Sequence, residues 1–450
     1  MNGLLLIERL RKHARIVPNG VAYRQAETGE VWTWKQLDDR SQWLANSLRR
    51  QLPAGSVIAL IGSNQPKFAA AFLAALRAGM AAFPMAGGPE VKELARRAGA
   101  AMILGPRISI EGEGAMSGES QTSSTAALLL TSSGTTGRPK IVRRSAASLN
   151  AVIEAMCGSI GFGPADRVLA MAPLHHSYGL EHGLLAPVAA GSAVTLCESF
   201  DLATAMREVQ SGATILPAVP IMIEALSGCE NCGAMTKLRK VYSAGGPLPL
   251  AIAEKFTRQL GVRVGQVYGA TEIGSVTFSD PDSPDFNPRS VGRMMTGVEL
   301  RLIDDQVAIR AASMFDGYLD ERESPTIDGF FPTGDLGELD AAGNLLITGR
   351  IKLLIDVGGK KVNPLEVEEV LSRHPQVGAC VVVPMPVAAT VTRLKALVVP
   401  RRGGEAPRPE DLRAFARRRL SPYKLPRIFE MRDSLPTSAT GKVLREMVKE

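Results

Sequence analysis

Gly55-Ser-Val-Ile-Ala-Leu-Ile61 leads through Gly62-Ser-Asn-Gln-Pro66 into Lys67-Phe-Ala-Ala-Ala-Phe-Leu-Ala-Ala-Leu-Arg-Ala-Gly79, and Met80-Ala-Ala-Phe-Pro84 follows at once. The run from Ser56 to Ile61 is apolar and short enough for a buried strand. Pro66 to Gly79 has helical periodicity and stops at glycine, which tolerates the left-handed conformation that ends helices. Met80 to Pro84 is apolar again. Strand, helix, strand in that order predicts a βαβ unit.

The same grammar recurs at Ala126–Leu130, Arg167–Ala172, Ala193–Leu196, 213–216 and Lys240–Ser243. Strands spaced by helices imply mainly parallel sheets flanked by helices, an α/β architecture. Glu111 to Thr125, rich in Gly, Ser and Glu, predicts an exposed linker. After Val298 the runs shorten and alternate (Glu299–Ile303, Val307–Ile309, Leu345–Thr348), which predicts a β-rich subdomain. From Ile351 a small α+β unit is expected. It has helices at Pro364–Arg373 and Pro409–Leu420 and strands at Ala379–Val383 and Leu394–Val399. The predicted division is therefore a large domain over 1–349, a hinge over 350–352 and a small domain over 353–450.

The 450 residues are 45% hydrophobic and 22% charged, ordinary globular values with ample chain for a core. No apolar run approaches the ~20 residues of a membrane-spanning helix. Met1 to Lys12 reads as the start of an amphipathic helix and not as a signal peptide. Five cysteines in no framework spacing suit a reducing, cytoplasmic setting. Cys229-Glu-Asn-Cys232 is a lone CxxC, read as a loop. The whole chain carries a formal charge of +7, yet 19 Lys and Arg against 11 Asp and Glu stand from Ile351 onward. That basic end suits an anionic partner, or a solvated surface without one. No recognition-helix or aromatic-stacking pattern points to nucleic acid. Monomer and homodimer are both compatible with the sequence.

Thr131-Ser-Ser-Gly-Thr-Thr-Gly-Arg-Pro-Lys140 follows the apolar run Ala126–Leu130. Five hydroxyls in six positions, small residues that admit a close backbone, and one lysine can surround phosphate oxygens. The spacing is not that of a Walker A loop, because no Ser or Thr follows Lys140.

This stretch resembles the first signature of the adenylate-forming superfamily, whose common form is Y-T-S-G-[ST]-T-G-x-P-K-G. Leu130 stands for the tyrosine, Ser133 adds a hydroxyl, and Ile141 replaces the last glycine. Five further motifs are similar to the family's and come in its order. They are Pro173-Leu-His-His-Ser-Tyr-Gly179, Tyr268-Gly-Ala-Thr-Glu272, Thr333-Gly-Asp335, Gly349-Arg-Ile-Lys352 and Pro436-Thr-Ser-Ala-Thr-Gly-Lys442. Trp32-Thr-Trp-Lys-Gln-Leu37 and Ser63-Asn64 extend the resemblance to the N-terminal part.

The resemblance implies an ATP-dependent ligase that makes an acyl-AMP. It would then make a thioester on coenzyme A or on the phosphopantetheine of a carrier protein. It implies ATP and Mg²⁺ as cofactors and a small C-terminal domain that rotates about Lys352. It assigns the nucleotide to Thr131, Ser132, Ser133, Gly134, Thr135, Thr136, Gly137, Gly245, Gly246, Tyr268, Gly269, Thr271, Asp335 and Arg350. Catalysis falls to Lys442, Glu272, Lys140 and His176, with Glu272 on the metal. His176, Tyr178, Ser243 and Gly269 would border the acyl pocket. Read alone, Lys442 is a surface lysine, Glu272 a loop carboxylate and Tyr268 a core ring. No aspartate lies between Met171 and Gly179 to hold an α-ammonium group, and Glu181 is out of register. The expected acid is therefore aryl or aliphatic without an α-amine. Asp356 stands where many relatives have a lysine.

Overall fold

The computed structural model describes residues 4–105, 126–132, 139–229, 235, 237–321, 325–357, 360–388, 391–401, 403–437, 443 and 445–448. The expected linker at 111–125 and the CxxC pair's second cysteine lie outside them. The chain forms two compact units. The first comprises Met1–Leu248, Ile252–Leu300 and Ile309–Phe331; the second comprises Pro249–Ala251, Arg301–Ala308 and Pro332–Glu450.

In the first unit the βαβ reading holds nearly residue for residue. Strand Val57–Ile61 precedes helix Pro66–Arg77, and strand Ala81–Met85 runs parallel to the first. Pro66 occupies the first turn, where a missing N–H removes no helical hydrogen bond. The helix carries Phe68, Phe72, Leu73 and five alanines, and it is buried on almost every side, as a helix with so few polar residues must be. Helix Trp34–Gln51 packs along it. Thr33 starts that helix with a reciprocal cap: Gln36 N donates to Thr33 Oγ1 at 3.2 Å, and Thr33 N donates to Gln36 Oε1 at 2.9 Å. Such a cap contributes about 1 kcal/mol.

The strands sort into two sheets, a division that the run of apolar segments does not announce. One has five strands in the order Ala100–Leu104, Val57–Ile61, Ala81–Met85, Leu128–Ser132, Lys140–Arg144. The other has nine, in the order Arg293–Met294, Gly274–Ser279, Val264–Ala270, Lys240–Ser243, Ile215–Ala218, Arg167–Ala170, Ala193–Leu196, Val21–Gln25, Val31–Thr33. Its middle is parallel and both margins are antiparallel. Parallel strands share one carboxyl-terminal edge, where open α/β sheets hold ligands. Ser243, Tyr268 and the turn after Ala170 all fall at that edge.

In the second unit, Phe331–Leu339 and Leu345–Arg350 form an antiparallel pair. They belong to a four-stranded sheet with Val298–Ile303 and Gln306–Ala311. A three-stranded sheet follows, with Val391–Pro400 between Val377–Ala388 and Ile428–Met431. Helices Pro364–Ser372 and Pro409–Arg417 cover it over a core that includes Val367, Leu371, Val382, Ala396, Leu412 and Ala416. Pro384 and Pro386 lie on an outer strand of this sheet, where a missing donor is tolerated. Among the described residues, no helix is long and apolar enough to cross a membrane.

Candidate active site

The hydroxyl-rich loop joins two antiparallel strands. Ser132 lies opposite Lys140 and Thr131 opposite Ile141. Ser133, Gly134, Thr135, Thr136 and Gly137 lie outside the described residues. The second end of the loop is tied down. Arg97 donates to Pro139 O at 2.9 Å and pairs with Asp320. Segment 316–319 adds backbone bonds to the strand of Lys140: Arg143 N to Gly317 O at 3.0 Å, Asp316 N to Arg143 O at 2.8 Å and Leu319 N to Ile141 O at 2.8 Å. Lys140 Nζ lies 2.6 Å from Glu321 Oε1 and 4.3 Å from the centre of the Tyr318 ring.

Tyr318 leads from that lysine to the carboxylate. Its Oη donates to Glu272 Oε1 at 3.0 Å. Burial first, and the Glu272 charge second, push the phenol's pKa up, so it stays a donor. Phe315 N donates to Glu272 O at 2.7 Å, which fixes the backbone as well. Among the described residues, Glu272 Oε2 has no partner. One held carboxylate with an open oxygen fits Mg²⁺, which keeps waters and takes phosphate oxygens in preference to an all-protein cage.

Glu272 sits in the hairpin between strands Val264–Ala270 and Gly274–Ser279. Tyr268 is half-buried on the first strand, and a bulge separates it from Gly269. Gly269 is obligatory, because a Cβ there would lie 2.2 Å from Gly274 O. Thr271 is also half-buried. Strand Lys240–Ser243 ends beside them, and Gly245 then turns with φ of +84°, a conformation that glycine adopts without strain. Gly246 is exposed in the same loop. Ser243 is 1% exposed, and its Oγ has no hydrogen-bond partner among the described residues. A buried hydroxyl left unpaired is costly, so it marks a place for a ligand group.

Asn64 builds the acyl motif. Its Nδ2 donates to Ala172 O at 2.9 Å and its Oδ1 accepts from Leu174 N at 2.8 Å, clamping the turn before the histidines. His175 and His176 rings stand 4.5 Å apart. Tyr178 Oη donates to Ala218 O at 3.0 Å. Gly179 admits Pro173 O where a Cβ would lie 2.1 Å from it. Burial, then the neighbouring His176, holds the His175 pKa at about 4, and burial lowers that of His176 too. His182 is fully buried, with Nδ1 2.8 Å from Tyr242 Oη and Nε2 3.1 Å from Ser275 Oγ. Burial holds its pKa at about 3.

Unfolded histidines titrate near pH ~6.5. A folded-state pKa below that value means that the unfolded chain binds more protons as pH falls. Stability is therefore expected to drop between about pH 6.5 and 4. Melting temperatures across that window check it, and His182→Gln should flatten the slope relative to the unsubstituted protein.

In the second unit, Asp335 lies directly opposite Arg350, with Oδ1 3.4 Å from Arg350 Nε. Thr333 Oγ1 accepts from Asp335 N at 3.1 Å and donates to Val307 O at 2.8 Å. Lys352 lies in the 3₁₀ turn Ile351–Leu353 and is exposed. Asp356 pairs across to Lys361 in a two-stranded ribbon, while Gly358 and Gly359 lie outside the described residues. Lys442 lies outside them as well. Around it, Thr437 bridges to Val443, and Arg445 pairs with Glu368 at 2.6 Å and donates to Val382 O at 3.1 Å. Burial raises the Glu368 pKa, and the Arg445 charge opposes that rise.

Sequence reasoning missed three participants. Tyr318 lies outside every motif quoted, though it joins two of them. Asn64 was quoted for the resemblance alone, and its role as a clamp has no local sign. Arg144 reads as one of two adjacent arginines, yet it is fully buried and paired with Glu181 at 2.7 Å. Its strand, Lys140-Ile-Val-Arg-Arg144, holds three basic residues, so nothing local singles out the buried one.

The profile of the AMP-binding enzyme family matches residues 10–122 and 111–319, and that of the AMP-binding enzyme C-terminal domain matches 366–442. A probable CoA ligase of Humulus lupulus is 32% identical over 369 residues, covering 72% of this chain and 61% of that protein. The sulfoacetate–CoA ligase of Cupriavidus necator is 36% identical over 339 residues, covering 71% and 66%. The chain thus spans under two thirds of both relatives. The crystal structure of ATP-bound MatB from Rhodopseudomonas palustris superposes with a TM-score of 0.90 over 99% of this chain and 98% of that one, at 24% identity. That likeness is one of fold. The motifs, their order and the matched span agree, and the chain belongs to the AMP-binding enzyme family.

Proposed function

We propose that this chain is an ATP-dependent acid–thiol ligase. In the first half-reaction a carboxylate oxygen attacks the α-phosphorus of ATP, acyl-AMP forms and pyrophosphate leaves. In the second, a thiolate attacks the acyl carbonyl, the thioester forms and AMP leaves. The observation that carries the reading is the chain Lys140–Tyr318–Glu272, which sets a phosphate-binding cation and a carboxylate with an open oxygen on one phenol ring.

Two anions meet in the first step, so fixed cations and oriented donors matter more than a base. Lys140 and the backbone after Thr131 and Ser132 hold phosphate oxygens. Asp335 accepts from the ribose hydroxyls and Arg350 steadies the same sugar. Tyr268 lies along the adenine, with Gly245, Gly246, Gly269 and Thr271 allowing close approach. His176, Tyr178 and Ser243 border the acid. Glu272 would hold Mg²⁺, which supplies charge neutralisation to the phosphates. Lys442 supplies the cation between carboxylate and α-phosphate.

A pyrophosphate-release screen over aryl, fatty and small aliphatic acids tests this. Release is expected with one class and not with α-amino acids. No release with any acid would overturn the reading.

Coenzyme A is the acceptor that the relatives' names support. A carrier protein is the second reading, favoured by the exposed basic run Arg417-Arg-Arg419 at the end of helix Pro409–Arg417. Thioester formation with CoA alone, against an acidic phosphopantetheinyl carrier, decides between them.

The reading includes a hinge at Lys352 between the half-reactions. Proline there fixes φ and removes a donor. Lys352→Pro is expected to slow thioester formation by about tenfold or more while sparing pyrophosphate exchange, since domain steps commonly gate turnover. Equal losses in both assays would remove the hinge from the mechanism.

A further inference from the structure

Arg144 and Glu181 are 0% and 2% exposed, and nothing in the proposed chemistry uses them. Arg144 follows Lys140 on the same strand. Its Nη1 donates to Glu181 Oε1 at 2.7 Å, its Nε to Ser148 Oγ at 3.0 Å and its Nη2 to Ser313 O at 3.0 Å. Glu181 begins a π-helical segment, Glu181–Leu185, that continues the helix bearing Tyr178. Its Oε2 accepts from Ser275 N at 3.0 Å and from Ser275 Oγ at 2.7 Å. Ser275 stands three residues after Glu272. Ser313 Oγ donates to Ile273 O at 2.7 Å, and Gly274 has room for no Cβ between Arg144 Nη2 and Glu181 Oε1, which would lie at 3.0 and 3.1 Å from it. Ser275 Oγ reaches His182, which reaches Tyr242, the neighbour of Ser243, whose Oγ is unpaired among the described residues.

We infer that the Arg144–Glu181 pair is a positioning device for adenylation. It joins the strand of Lys140, the helix of Tyr178 and the hairpin of Glu272 in one buried polar junction. The inference rests on the functional reading above. A guanidinium fork and a carboxylate with four acceptor sites suit that role, because together they fix direction as well as distance. A π-helical turn re-aims side chains where function needs it. Buried networks of this kind act through the groups they orient, and loss of such outer partners typically costs about 10–100-fold in metal affinity or activity.

The test uses Arg144→Lys, Glu181→Gln and the milder Ser275→Ala in the full chain. Each is assayed for ATP–pyrophosphate exchange per folded molecule, well below its own melting temperature. Ser275→Ala keeps the N–H to Glu181 and removes only the hydroxyl, so it is the variant most certain to fold. Half-saturating Mg²⁺ is expected to rise about tenfold in Glu181→Gln and kcat to fall with it, with a smaller rise in Ser275→Ala. A purely structural pair would lower the melting temperature and leave both constants alone. Values within twofold of the unsubstituted protein in every folded variant would overturn the inference. An unsubstituted protein without exchange for any acid would overturn the functional reading instead, and this inference with it.

Discussion

Lys442→Ala is expected to abolish ATP–pyrophosphate exchange while a preformed acyl-AMP still passes its acyl group to a thiol. The carboxylate and the α-phosphate repel each other until a cation lies between them. Lysine provides a compact charge with three donors that can reach oxygens of both groups. Removing one preorganised donor to a developing charge costs about 10²–10³ in rate, and a full cation between two anions costs at least that. In the second half-reaction the departing group is AMP, already formed, so the same lysine has no equivalent work. The two assays therefore separate a lost charge from a lost fold. The neighbourhood supports the variant's integrity, because Thr437–Val443 pairing and the Arg445–Glu368 ion pair hold this segment without Lys442. Normal exchange in Lys442→Ala would remove the residue from the mechanism.

Much of the architecture was legible because it is written in local pattern. Pro66 to Arg77 is apolar but for Lys67 and Arg77 near its ends, and a helix of that kind has to be buried, which places the strands on either side of it. Asp335 and Arg350 were assigned to the nucleotide from separate motifs. The hairpin brings them opposite each other because strand register couples positions fifteen residues apart along a short turn. Other features depend on pairings that no local pattern encodes. The parallel strands look alike in sequence, yet they divide between two sheets according to which neighbours they meet. Lys140 reads as the end of a loop, but it opens a strand, because segment 316–319 supplies that strand's second edge. Tyr318 joins Lys140 to Glu272 across separations of 178 and 46 residues, which periodicity cannot span. Glu181 was read as a carboxylate out of register with the acyl pocket, and its partner Arg144 lies 37 residues earlier on a different element.

That pair carries the second large effect, which falls on stability. Arg144→Met is expected to cost about 3–5 kcal/mol, because it leaves the Glu181 carboxylate buried without its counter-charge. Met keeps most of the volume, so a cavity contributes little and the loss reports the unpaired charge. The double variant Arg144→Met/Glu181→Gln removes both charges and retains an acceptor for the Ser275 N–H. It is therefore expected to be more stable than Arg144→Met alone, although it carries one substitution more. Buried ion pairs behave in this non-additive way because desolvation opposes most of their mutual attraction. Urea unfolding of the two single variants and the double, at one pH and with m-values compared, measures the coupling. Strictly additive losses would mean that Arg144 and Glu181 act on the fold independently. The junction would then be two separate polar groups that happen to lie 2.7 Å apart, and it would have no rigidity to lend to the hairpin of Glu272.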